Sequence, residues 1–190
     1  MTMKRLAVCL AAVLSAASAL AETGKFDPCA LLTRREIETV QGDRLSATKA
    51  SEPQRDRFAV SQCFFTMATF SKSVSLEVTR RRANESPGPR EGWKQMFARA
   101  LEKAKEKEKE REAEERKGKE AEREERRGAA LRRIEGIGDE AYWDGSSVGG
   151  GLYVLAGNSY FRLSIGGPEP VAEKIEKLKK LARSIIRRLR

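Results

Sequence analysis

The chain has 190 residues, with 38 Lys and Arg against 28 Asp and Glu, three cysteines and no histidine. Without histidine, a serine triad is excluded, and so are the common zinc sites built from Cys and His. The formal charge of +10 is unevenly placed, because Val171 to Arg190 carries eight basic residues against only Glu173 and Glu176.

The first residues set the expected compartment. Lys4 and Arg5 precede an apolar run from Leu6 to Leu14, and small residues follow up to Ala21. Ala19 and Ala21 satisfy a small-x-small cleavage rule, so residues 1–21 read as a signal peptide cut after Ala21. The run is shorter than the roughly 20 residues a bilayer span needs, and no other stretch approaches that length. Cys9 lacks a lipidation signature, since Val8 stands where a small residue belongs. Export makes nucleic acid an improbable partner whatever the basic charge. The mature part, 22–190, has about 169 residues, enough for one domain with a real core. It keeps two cysteines, Cys29 and Cys63, which in an oxidising compartment favour a disulfide. Closing that loop of about 35 residues would contribute roughly 3 kcal/mol in the chain-entropy view.

Asp27-Pro28 is a cap-and-first-position pair that opens a helical turn. Thr33-Arg34-Arg35-Glu36 reads as a capping box, and its helix should run to Gln41 and stop at Gly42. Asp43 to Arg57 is polar and contains Pro53, which suggests a loop with at most one edge strand. Phe58 to Phe70 is dense in β-formers, with Cys63, Phe65 and Met67 on one face. Val74, Leu76 and Val78 alternate with polar residues, the mark of a half-buried strand. Asn84 to Arg90, with Pro87-Gly88-Pro89, reads as a surface loop.

A helix is expected from Glu91, with Trp93, Met96, Phe97, Ala100, Leu101 and Ala104 forming one apolar stripe. From Glu102 to Arg127 the character changes: 22 of 26 residues are charged, eleven of each sign. Pairs such as Glu112–Arg116 and Glu122–Arg126 support a solvated helix, but without large apolar residues a coiled coil is not expected. A helix from Glu91 to Arg133 would be about 65 Å long, against a radius of gyration of about 15 Å for a domain this size. The segment 102–127 therefore reads as a charged helical extension interrupting a single α+β domain, a solvated spacer or a docking arm. Its balanced charge argues against simple polyanion capture.

The fold should resume at Ile134, with a turn at Gly136–Asp139 and a strand from Glu140 to Trp143. Gly145 to Gly151 reads as a loop. A hairpin follows around Gly157-Asn158, with Phe161, Leu163 and Ile165 inward. From Glu169, Val171, Ile175, Leu178, Ala182, Ile185 and Leu189 make a second amphipathic stripe. The order is helix, strands, helix, strands, helix, in two similar halves. An antiparallel sheet covered on one face by helices is the expected architecture.

Two stretches resemble a known group. Asp27-Pro28-Cys29-Ala30-Leu31-Leu32-Thr33 resembles the early D-x-C-x-L-L-T motif of a family of small secreted bacterial domains. Gly136-Ile137-Gly138-Asp139-Glu140-Ala141-Tyr142-Trp143 and the hairpin after it look like the G-(L/I)-G-D-E-A-Y-W signature of the same family. The resemblance implies an extracytoplasmic α+β domain, often attached to the cell envelope and of uncharacterised function, and brings no catalytic residues with it. The charged segment and the missing lipidation signature depart from the family pattern.

For chemistry, no phosphate-binding Walker loop is present. The best cluster is Asp139, Glu140 and Asp144 beside Tyr142 and Trp143, a set that a calcium ion or a glycoside-cleaving acid pair would use. The competing reading makes Asp139 a turn cap and the aromatic pair anchors of the sheet. It is preferred because the spacing matches no calcium loop. On the last helix, Lys174, Lys177, Lys180, Arg187 and Arg188 form a basic face that could contact anionic lipid, against an ordinary packing helix with a cationic outer side. The sequence thus points to a monomeric, non-enzymatic binding or structural module of the bacterial envelope, with no cofactor or metal and an envelope protein or ligand as partner. A peripheral membrane protein and an acid-using hydrolase are the alternatives.

Overall fold

A computed structural model describes residues 26–54, 59–81, 88–99, 101–102, 131–145 and 150–189. The expected signal peptide lies outside these residues, as does the charged extension apart from Glu102. The fold is α+β: one seven-stranded antiparallel sheet covered by three helices.

The chain enters through a 3-10 turn, Pro28–Leu31, in which the Asp27 carboxylate accepts the Cys29 N–H. Helix α1, Arg34–Gln41, starts with the capping box read from sequence and ends with Gly42 in the left-handed conformation. Strands β1 (Leu45–Gln54), β2 (Ala59–Met67) and β3 (Val74–Arg80) follow as a meander. Helix α2 occupies residues 89–99, and residues 101–102 are also helical. Strands β4 (Arg132–Arg133), β5 (Glu140–Asp144), β6 (Gly151–Ala156) and β7 (Ser159–Ile165) form a second run of antiparallel neighbours. Helix α3, Val171–Leu189, closes the described chain.

Strand order is β1-β2-β3-β7-β6-β5-β4. The sheet is therefore nearly symmetric about the β3–β7 pair, where Glu77 stands opposite Arg162. Rotation about that pair carries β2 onto β6 and β1 onto β5. Side chains alternate between the two faces. On one face, Leu76, Leu163, Leu152 and Trp143 make one cross-strand row, and Val78, Phe161, Val154 and Ala141 make the next. Ile37 from α1 and Ile175, Leu178, Leu181, Ala182 and Ile185 from α3 pack on these rows to form the main core. The expected Cys29–Cys63 disulfide is present, with Cα atoms 5.2 Å apart, and ties the entry turn to β2 inside this core.

The expectation that helices cover a single face is corrected by α2. Its Trp93 and Phe97 pack on Tyr142, Leu155, Tyr153 and Tyr160, which point to the opposite face. Rotation about β3–β7 would keep both leading helices on one side, so the sheet's symmetry does not extend to α1 and α2. The apolar stripe of α2 is also narrower than expected, with Met96 exposed to solvent. Helix α2 begins two residues earlier than predicted, at Pro89, because a proline in the first turn sacrifices no hydrogen bond. Val171 is likewise exposed rather than part of the α3 stripe. The polar stretch after Gly42 is a full ten-residue edge strand, and β4 extends the other edge by two residues that periodicity could not mark.

Candidate functional site

The acidic cluster read from sequence does not converge on one point. Gly138 has φ +61°, and a Cβ there would lie 2.4 Å from the Leu155 carbonyl oxygen, so the turn into β5 requires glycine. That close approach brings the Asp139 N–H to the Leu155 carbonyl at 2.8 Å. The Asp139 carboxylate accepts the Gly157 N–H of the β6–β7 turn at 3.1 Å and is ion-paired with Arg90 at the start of α2. Glu140 accepts the Trp93 indole N–H at 3.0 Å and lies 3.5 Å from the Tyr142 hydroxyl. Alternation then sends Tyr142 into the α2 cluster and Trp143 into the main core. Burial, reinforced by the Glu140 charge, raises the Tyr142 pKa. Asp144 sits at the far end of β5, opposite Gly151. Asp139 and Glu140 thus clamp α2 and a turn onto the sheet, the arrangement that the turn-cap reading describes.

The basic residues of α3 separate into two sets. Lys177 is ion-paired with Glu169 and Glu173, and Lys179 with Glu176. Arg188 grips both oxygens of Glu36 on α1 at 3.0 Å each, and it also donates to the Leu31 carbonyl. Arg187 donates to the Ser184 hydroxyl at 2.9 Å and stands 4.0 Å from Glu36. The side chains of Lys174, Lys180 and Arg183 make no hydrogen bond or close ion pair among the described residues and act on Glu169 and Glu176 only at longer range. Among these residues no helix is long and apolar enough to cross a membrane.

Where α1 and α3 run side by side, a groove of about 350 Å³ opens between them. Arg35, Thr39 and Val40 form the α1 wall; Lys180, Leu181 and Ser184 form the α3 wall. Leu181 and Ser184 are buried, whereas Arg35, Thr39 and Lys180 are exposed at the rim. Glu36 also lines the groove. Burial alone would raise its pKa, but Arg188, the Thr33 N–H and the hydroxyls of Ser184 and Thr33 hold it down at about 2. Its charge is therefore permanent at neutral pH and is neutralised by Arg188. Lys180 is the one groove residue that the sequence had marked as a ligand contact, Thr33 and Glu36 having been marked only as a helix cap. Arg35 and Thr39 escaped because only the folded chain places α1 beside α3; their one sequence signal is a position on the polar side of a capped helix.

The sheet's second face differs between the halves. Across β1, β2, β3 and β7 it presents Ser51, Gln62, Glu77 and Arg162 in one register row. Gln62 donates to Glu77 at 2.7 Å, and the Arg162 guanidinium lies 5.6 Å from the Tyr153 ring. No model of a known protein family, no characterised protein and no solved structure matches this chain.

Proposed function

We propose that this protein is a non-enzymatic, extracytoplasmic binding or structural module of the bacterial envelope. The observation that carries the reading is the Cys29–Cys63 bridge, with Cys63 fully buried in the main core. Such a bond persists in an oxidising compartment, and the export signal expected over residues 1–21 and the resemblance to secreted bacterial domains point the same way. The non-enzymatic part is supported by the acidic residues nearest to a catalytic set, because Asp139 and Glu140 are engaged by a turn N–H, Arg90 and the Trp93 indole.

The test is thiol trapping in fractionated cells that express the full chain. The expected result is a chain cut after Ala21, outside the cytoplasm, whose cysteines resist alkylation until reduced. An uncut cytosolic chain in which Cys29 and Cys63 are both alkylated without reduction would sink the proposal. A turnover activity lost on Asp139→Asn or Glu140→Gln, with the fold intact, would overturn the non-enzymatic half alone.

A second reading, attachment to anionic membrane through α3, is favoured by Lys174, Lys180 and Arg183, whose side chains form no close ion pair among the described residues. It predicts sedimentation with anionic vesicles that salt reverses.

A further inference from the structure

We infer that the groove between α1 and α3 is an oxyanion site, and that its ligand is a phosphate ester. The argument begins with charge. Around the groove, Arg34 meets Glu38, Lys177 meets Glu169 and Arg188 meets Glu36. Arg35 and Lys180, on opposite walls, form no side-chain ion pair among the described residues, Lys180 feeling Glu176 only at longer range. Glu36 is the only carboxylate among the described residues lining the groove, and its two oxygens accept from Arg188 and from the Thr33 N–H and hydroxyl. The cavity therefore keeps a net positive field, with Arg187 adding to it near Ser184. Like charges held across a cleft repel, and an anion between them removes that repulsion while keeping both side chains hydrated at their outer ends.

The donor set narrows the anion. Arg35 offers a planar fork and Lys180 a point charge from the other side, a pairing suited to a tetrahedral group with several acceptor oxygens. Thr39, exposed on the same wall as Arg35, adds a hydroxyl donor. A space of about 350 Å³ is larger than a single oxyanion fills, and its inner surface includes Val40 and Leu181. The phosphate accordingly carries a body, which is either a soluble phosphoester or a lipid headgroup with its glycerol. This site stands independently of the compartment proposed above, so either can fail without the other.

The test is an amide-resolved NMR titration of the chain with inorganic phosphate, with glycerol phosphate, and with vesicles of phosphatidylglycerol or phosphatidylcholine. Saturable shifts are expected at Thr33–Val40 and Lys180–Ser184. The double substitution Arg35→Gln with Lys180→Gln should weaken binding by about tenfold or more, whereas Arg183→Gln, which removes a charge from α3 outside the groove, should leave it nearly unchanged. All three are surface substitutions, and an unchanged thermal midpoint verifies the fold. Groove-dependent binding to phosphatidylglycerol vesicles identifies a headgroup as the source; groove-dependent binding of glycerol phosphate without vesicle binding identifies a soluble ester. The inference is overturned by the absence of saturable shifts with every phosphate probe. It is equally overturned if Arg183→Gln weakens binding as much as the groove pair, which would reduce the effect to net charge.

Discussion

The two halves of the sheet occupy equivalent positions but are finished differently. Rotation about the Glu77–Arg162 pair places Gln62 on Tyr153, Phe64 on Leu155, Ser75 on Tyr160 and Ser51 on Tyr142. The second half carries three tyrosines and a leucine at these points, and α2 seals them with Trp93 and Phe97. The Phe97 and Tyr142 rings stack at 4.6 Å, and Trp93 lies 5.8 Å from Tyr142. The first half carries Ser51, Gln62 and Ser75 at three of these points, side chains that gain little from losing water, and leaves Phe64 37% exposed at the fourth, while α1 lies on the other face instead. A covering helix goes where side-chain composition rewards burial, and backbone symmetry does not override it. The first half takes its extra security from the disulfide.

The sharpest way to break this contrast is to attack what both halves share. Phe161 lies on β7 and is fully buried in the main core. Phe161→Ala should cost about 4 kcal/mol and lower the unfolding midpoint as one transition, followed by far-UV signal in denaturant. Two separate transitions would mean that the halves are separate folding units. Replacing both Cys29 and Cys63 by Ala should cost about 3 kcal/mol, from a loop with a sequence separation of 34 residues. A loss well below 1 kcal/mol would remove the bridge as the first half's anchor.

Acid should reach the helical face next. Glu36 is lowered in the folded state from 4.5 to about 2, so its contribution is present above the unfolded value and is lost as pH falls from about 4.5 toward 2. The carboxylate is only 25% exposed, which leaves a contribution of about 2 kcal/mol after screening. Glu36→Gln should therefore flatten the stability curve over that interval, as read by denaturation at stepped pH. The smallest effect belongs to the open face. Gln62→Ala should change stability by less than about 0.5 kcal/mol, and a large loss would show that the polar row holds the sheet together.

The sequence revealed elements whose rules are local. The Thr33–Glu36 capping box, the Asp27-Pro28 start, the alternation of Val74, Leu76 and Val78, and the turn at Gly157 are all written within a few residues. The Cys29–Cys63 bridge was legible because the removal expected of residues 1–21 would leave only two cysteines. Edge strand β1 was hidden, since from Ser46 to Ser51 both of its faces meet solvent and no alternation develops. The face chosen by α2 was hidden for a different reason. Trp93 and Phe97 declare an apolar stripe, but their partners Tyr142 and Tyr153 lie in strands whose other face is also apolar. The groove was the least legible, because it depends on Arg188 reaching Glu36 across 152 residues of chain.

The most direct test of the account is hydrogen exchange on the Trp93→Ala chain, compared amide by amide with the unsubstituted protein. Trp93 is only 1% exposed, and the account predicts that its loss strips protection from α2 and weakens β5 and β6. Strands β1 to β3 and helices α1 and α3 should keep theirs. Uniform loss across both halves would contradict it, because the aromatic seal would then belong to one indivisible core rather than to the second half.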